Sequence, residues 1–183
     1  EALCELLQFD AAILVYDVVL QTTKNDALRR RAMSRRGDCL FTLGSDNADR
    51  YNESIAAYEA VLADSGTLLL DTVLQCEYKI GRSLESAGRT SAAFERYYSK
   101  VILRFEEEVR ADPDVANTPS RLWYSRAVFG AADISVRLEN WDAASALLQR
   151  VANSGHPGAE EATKRLERIK SSRPILPPAT VTR

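Results

Sequence analysis

Histidine is almost missing: His156 is the single one, wedged between Gly155 and Pro157. A metal site built from several histidines is thereby excluded, and a lone histidine between glycine and proline reads as a turn residue. Cysteine is scarce. Cys4, Cys39 and Cys76 are odd in number, lack C-x-x-C spacing and lie among apolar neighbours in helical patterns. That argues against a disulfide framework or zinc site and for small buried side chains. The sequence contains no G-x-x-x-x-G-K-[ST], G-x-G-x-x-G or G-x-S-x-G, so it offers no phosphate loop, dinucleotide fingerprint or nucleophile elbow. The longest apolar stretch, "AAILVYDVVL", is broken by Asp17 and is too short to span a bilayer. Charge of one sign is also lacking. The net value of −2 over 183 residues gives no global pull toward nucleic acid or anionic membrane. Strand-like alternation of any length is absent.

What is present is a soluble, foldable mixture, 45% apolar and 27% charged, written as a loosely repeated phrase. "FDAAILVYDVV" from Phe9, "YNESIAAYEAV" from Tyr51, "TSAAFERYYSK" from Thr90 and "WDAASALLQRV" from Trp141 align on a small residue: Ala12, Ser54, Ala93 and Ala144. Four residues later come Tyr16, Tyr58, Tyr97 and Leu148. Seven later come Val19, Val61, Lys100 and Val151, with Val101 beside the misfit lysine. Spacings of three, four and seven place these residues on one side of an α-helix, and the small residue lets a second helix approach. The small residue recurs after 42, 39 and 51 residues, and further helical runs lie between the phrases, at about 26–43, 68–87 and 120–138. Each period therefore holds two helices. Gly88 and Gly155 suit left-handed helix ends. Thr118 followed by Pro119 reads as an N-cap with proline in the first turn, and Asn140 reads as the cap of the helix opening at Trp141. "ADPD" at 111–114 stops the helix before it. Gly37 and Gly81 fall at equivalent points of two repeats. Glycine inside a helix costs about 0.8–1 kcal/mol against alanine, so its repetition predicts close helix packing.

Paired helices at such a period predict an all-α solenoid. The stretch "EYKIGRSLESAGRTSAAFERYY" resembles the tetratricopeptide repeat family: Ile80-Gly81 stand for its Leu-Gly, Leu84 for its Tyr, and Ala93 and Tyr97 for its second-helix pair. Val128, Ala131-Ala132, Ser135, Ala144 and Leu148 repeat the pattern more loosely. Gly37 and Leu40 do so with Arg36 in place of the leucine. The resemblance covers about residues 1–171 and implies a right-handed α-solenoid of antiparallel helix pairs. Its units are about 1–24, 25–65, 66–111 and 118–155, with a capping helix at 157–171 carrying the stripe Ala159, Ala162, Leu166 and Ile169. Residues 172–183 form a proline-rich tail. The periods exceed the family's usual length and look like those of bacterial cell-envelope repeat proteins.

In that family the first helix of each pair lines a concave groove. Carried over by alignment, this places Ser34, Tyr78 and Phe129 in one row, and Asp38, Arg82 and Asp133 in a second. Arg31, Gln75 and Arg126 make a third, and Phe41, Glu85 and Val136 a fourth, with Arg137 adjacent. Aromatics beside charges of both signs suit an extended peptide or a short helix. The rival reading is that Asp38, Arg82 and Asp133 satisfy one another. The run "RRRAMSRR" places five arginines around one helix, with Asp26 in reach of Arg30 and Asp38 of Arg35. It reads as a paired, solvated surface or as a patch for an anion or acidic peptide. Glu106, Glu107 and Glu108 read as a solvated helix end, and "SDNAD" as a polar turn.

The resemblance thus implies a protein–protein interaction module, part of a longer scaffold that binds a protein or peptide. It implies no enzyme, cofactor or metal, no nucleic-acid partner and no membrane insertion. The alternative is a regulatory helical segment attached to an enzyme or transporter. The chain opens at Glu1 inside a helix pattern, with Leu3, Leu6 and Leu7 at the start and Leu14 and Val18 turned away from the inward stripe. The expectation is that a further helical pair precedes it, and that this end self-associates or stands as an apolar patch.

Overall fold

A computed structural model describes residues 8–64, 66–155 and 158–172. Cys4, Leu3, Leu6, Leu7, His156 and residues 173–183 of the proline-rich tail lie outside them. Among the described residues the chain is helical and has no strand. The helices are α1, Phe9–Thr22; α2, Asp26–Leu43; α3, Asp49–Ala63; and α4, Leu70–Ser86. A longer helical run follows, in which α5, Thr90–Glu95, passes through a π-helical stretch, Arg96–Leu103, into α6, Arg104–Ala111. A short 3-10 turn, Pro113–Asn117, leads to α7, Ser120–Arg137; α8, Trp141–Ala152; and α9, Ala159–Ser172.

Local chemistry sets most of these limits. The Asn25 side chain accepts from the Leu28 amide and the Asn140 side chain from the Ala143 amide, each satisfying an orphan donor of a helix start. After Ala111 the chain turns extended at Asp112, whose carboxylate caps the turn that Pro113 opens. Gly88 has φ +76° and Gly155 φ +65°. Glu139 sits at the matching end of α7 with φ +57°, a left-handed conformation that costs a non-glycine residue about 1–2 kcal/mol. The same bonding closes both ends: Arg89 N–H donates to Leu84 O, and Asn140 N–H to Ser135 O. Thr118 departs from its expected role. Its hydroxyl donates to the Val115 carbonyl, and Pro119 takes the cap position of α7.

Helices pack against their chain neighbours, and α4 also packs against α7. Ala12, Ser54, Ala93 and Ala144 are all at most 2% exposed. Tyr58, Tyr97 and Leu148 are equally buried, whereas Tyr16 and Val19 on α1 are half-buried. The π-helical stretch explains the misfit of the third phrase. It absorbs one additional residue, so Val101 rather than Lys100 falls on the inward side; Val101 is buried and Lys100 exposed. Gly37 and Gly81 are packing residues. A Cβ on Gly37 would lie 2.7 Å from the Tyr58 ring and one on Gly81 2.5 Å from the Tyr97 ring. Gly130 presses on the other edge of Tyr97, where a Cβ would lie 2.8 Å away. On α9, Ala162, Leu166 and Ile169 are buried and Ala159 half-buried.

Two apolar cores result. A small one joins Ala12 and Ile13 to Cys39, Leu40 and Ala57. The larger runs from Ile55, Tyr58 and Val61 through α4 and α7 to Leu166 and Ile169.

Candidate functional site

Residues spaced by three and four on α2, α4 and α7 line a continuous track. Its first hollow, about 360 Å3, lies between α2 and α4, with Arg31, Ser34, Arg35 and Asp38 on one side and Gln75 and Lys79 on the other. The second, about 200 Å3, is bounded by Asp38 and Phe41 of α2, Tyr78, Lys79 and Arg82 of α4, and Trp123 and Arg126 of α7. The third holds Arg82 and Glu85 with Arg137 of α7. Asp38 and Lys79 belong to the first two hollows, and Arg82 to the last two, so the three are contiguous.

The track's carboxylates are already engaged. Asp38 accepts from Lys79 Nζ at 2.6 Å and from the Tyr58 hydroxyl at 2.8 Å, with Arg35 at 3.5 Å. Burial, with the Asp38 charge and hydrogen bond adding to it, pushes the Tyr58 hydroxyl far above its ordinary pKa, so it stays a donor. Glu85 accepts from Arg137 and from the Tyr97 hydroxyl, which burial raises in the same way. Arg82 does not bridge Asp38 and Asp133. Its guanidinium lies 4.8 Å from the centroid of the Phe41 ring, and Arg126 lies 5.0 Å from that of Trp123. Tyr78 stands between Tyr97 and Trp123, each 5.7 Å away between centroids, and Trp123 Nε1 donates to Asp71.

Of the residues placed in the groove by alignment, Arg31, Ser34, Asp38, Phe41, Gln75, Tyr78, Arg82, Glu85, Arg126 and Arg137 line this track. Phe129 and Asp133 sit instead beneath α9. Arg165 lies 4.7 Å from the Phe129 ring centroid and bonds Asp133 at 2.8 Å while also bonding Glu161. Arg35, Lys79 and Trp123 line the track but escaped the alignment, which took one residue per turn. Each is three or four residues from one that was named, and that spacing was the available signal.

The arginine run is largely paired. Arg29 and Arg30 converge on Asp64 at 2.8 and 3.0 Å, and these bonds hold its carboxyl below the ordinary value. Asp26 pairs with Arg29 rather than Arg30, and Arg36 reaches Asp17. Glu106 is not a solvated helix end. It accepts from the Tyr124 hydroxyl and from Arg150, tying α6 to α7 and α8. Burial pushes the Cys76 thiol up to about 12, leaving it protonated near neutral pH. Among the described residues, no group of three or more His, Cys, Asp or Glu is arranged to hold a metal ion. None of the described helices is long and apolar enough to cross a membrane. No family model matches the chain, and no curated protein or solved structure matches it.

Proposed function

We propose that this chain is a protein–protein interaction module, a right-handed α-solenoid of antiparallel helix pairs similar to tetratricopeptide repeats, and that its groove binds a protein or peptide partner. One observation carries the reading. Three helices that the repeat makes equivalent, α2, α4 and α7, contribute side chains to a single open track that is long rather than deep. An elongated surface of that kind suits a chain segment better than a small molecule, which is taken by a concave, mostly enclosed pocket. The test is selection from an unbiased displayed-peptide library on the intact chain, followed by amide hydrogen exchange with an enriched peptide. Protection gained along α2, α4 and α7 is expected. Protection confined to α1, α3 or α8, or no enrichment at all, would overturn the reading.

Self-association is a second property, favoured by the apolar strip on α1. Leu14, Val15 and Val18 are 68%, 51% and 58% exposed, and adjacent exposed apolar side chains mark contact surfaces. Light scattering over a concentration series is expected to show a dimer that Leu14→Glu with Val18→Glu converts to monomer. A wild-type chain that is monomeric throughout the series would count against it.

A further inference from the structure

The charge along the track is segregated. Arg31, Arg35 and Lys79 line its first hollow, Arg82 and Arg126 its centre, and Arg137 its far end, against two carboxylates, Asp38 and Glu85. The chain as a whole carries −2, so this strip of cations is a local feature and not a consequence of bulk composition. Both carboxylates are neutralised in place, Asp38 by Lys79 and Arg35, and Glu85 by Arg137. Of the other cations, Arg82 and Arg126 border the central hollow. Neither has a carboxylate within ion-pair distance among the described residues, and both are exposed at the mouth of the second hollow. Each guanidinium rests with an aromatic ring, Phe41 or Trp123, which holds it in place. A guanidinium that meets a ring with its face keeps its in-plane N–H groups free to donate.

Resting on the groove reading above, we infer that the partner segment is acidic: an Asp or Glu side chain enters the second hollow and is held by Arg82 and Arg126. The track continues past this hollow in both directions, so the segment passes through it and offers a side-chain carboxylate rather than a chain terminus. Single-stranded nucleic acid fits less well. It binds by stacking bases on open aromatic faces, and here Arg82 and Arg126 lie over Phe41 and Trp123, while Tyr78 is flanked by Tyr97 and Trp123.

The library selection separates this inference from the groove reading. Peptides enriched on the wild-type chain are expected to carry an excess of Asp and Glu over Lys and Arg. That excess disappears when selection is repeated on the Arg82→Gln, Arg126→Gln double variant. For an enriched peptide, fluorescence anisotropy is expected to show binding at least ~10-fold weaker when its Asp and Glu are changed to Asn and Gln, and similarly weaker on the double variant. The melting temperature of the double variant stays near wild type, and Arg110→Gln, away from the track, leaves affinity unchanged. Arg82→Lys keeps charge but not the flat fork, and is expected to fall between. Enriched peptides without acidic excess would overturn this inference and leave the groove reading standing. Labelled oligouridylate that binds the wild type and is lost on the double variant would overturn it in favour of nucleic acid.

Discussion

Tyr97 is held from both sides. Gly81 of α4 meets one edge of its ring, Gly130 of α7 meets the other, and its hydroxyl is tied to Glu85. Alanine at position 81 gains about 0.8–1 kcal/mol of helix propensity, yet its Cβ would need space that the ring cannot vacate without meeting Gly130. Overpacking of this kind costs about 1–3 kcal/mol. Gly81→Ala is therefore expected to lower the urea midpoint, and a raised midpoint would mean the ring slides freely. A second residue with a sign to test is Glu77, which is buried and bonded by Arg96 at 2.9 Å. Burial raises its pKa above 4.5 despite the lowering effect of Arg96. The folded state therefore favours the protonated form more than the unfolded chain does. As pH falls from neutral through the raised folded value toward 4.5, this group adds stability. Glu77→Gln lacks that gain. The stability of wild type relative to the variant is expected to rise as pH is lowered across this window, read from paired urea melts; an unchanged difference would assign Glu77 no net burial cost.

At the scale of the helix, the extra residue of the third phrase has a mechanical meaning. From small residue to inward valine is seven residues in the first, second and fourth phrases and eight in the third, Ala93 to Val101. The π-helical stretch takes up the difference, so that Ile102 within it and Phe105 beyond it remain buried. Deleting the exposed Lys100 is expected to return Arg96–Leu103 to an α-helix and to change stability by no more than about 1 kcal/mol. Deleting the exposed Gln149 from α8, which has no such slack, rotates Val151 by about 100° out of the core. That loses about 1.5–3 kcal/mol from this side chain alone. Circular dichroism and denaturation of the two deletions compare them directly, and equal losses would remove the π-helical account. The inward stripes were legible because burial repeats with the helical period. Ala12, Ser54, Ala93 and Ala144 differ in identity but share smallness and register. The helical spacing of Tyr78, Arg82 and Glu85, which line the track, was legible for the same reason. The cover over Phe129 and Asp133 was not, because it depends on where α9 crosses α7, and nothing in the Arg165 neighbourhood encodes that crossing. Pairing in the arginine run was illegible for a related reason. Asp64 lies more than thirty residues away and outcompetes the local partner that spacing alone assigns to Arg30.

At the scale of the whole molecule, the two cores make a stacked array and a single globule separable by experiment. Helix α3 is their joint: Ala57 faces the small core with Leu40, Cys39, Ala12 and Ile13, while Ile55, Tyr58 and Val61 face the large one. In an array each unit interacts with its neighbours only, so stability is a sum of local terms and a defect stays near its origin. In one cooperative globule every helix opens together, and any core defect lowers protection everywhere. Leu40 and Leu148 are each at most 1% exposed and lie in different cores. Truncating either to alanine should cost about 2–5 kcal/mol. For an array, Leu40→Ala lowers native-state amide protection in α1, α2 and the facing turns of α3, and leaves α7 and α8 at wild-type values. Leu148→Ala does the reverse, weakening α7, α8 and α9 while α1 and α2 keep their protection. Equal losses in all helices for both variants would identify one cooperative unit and would count against the solenoid reading on which the groove depends.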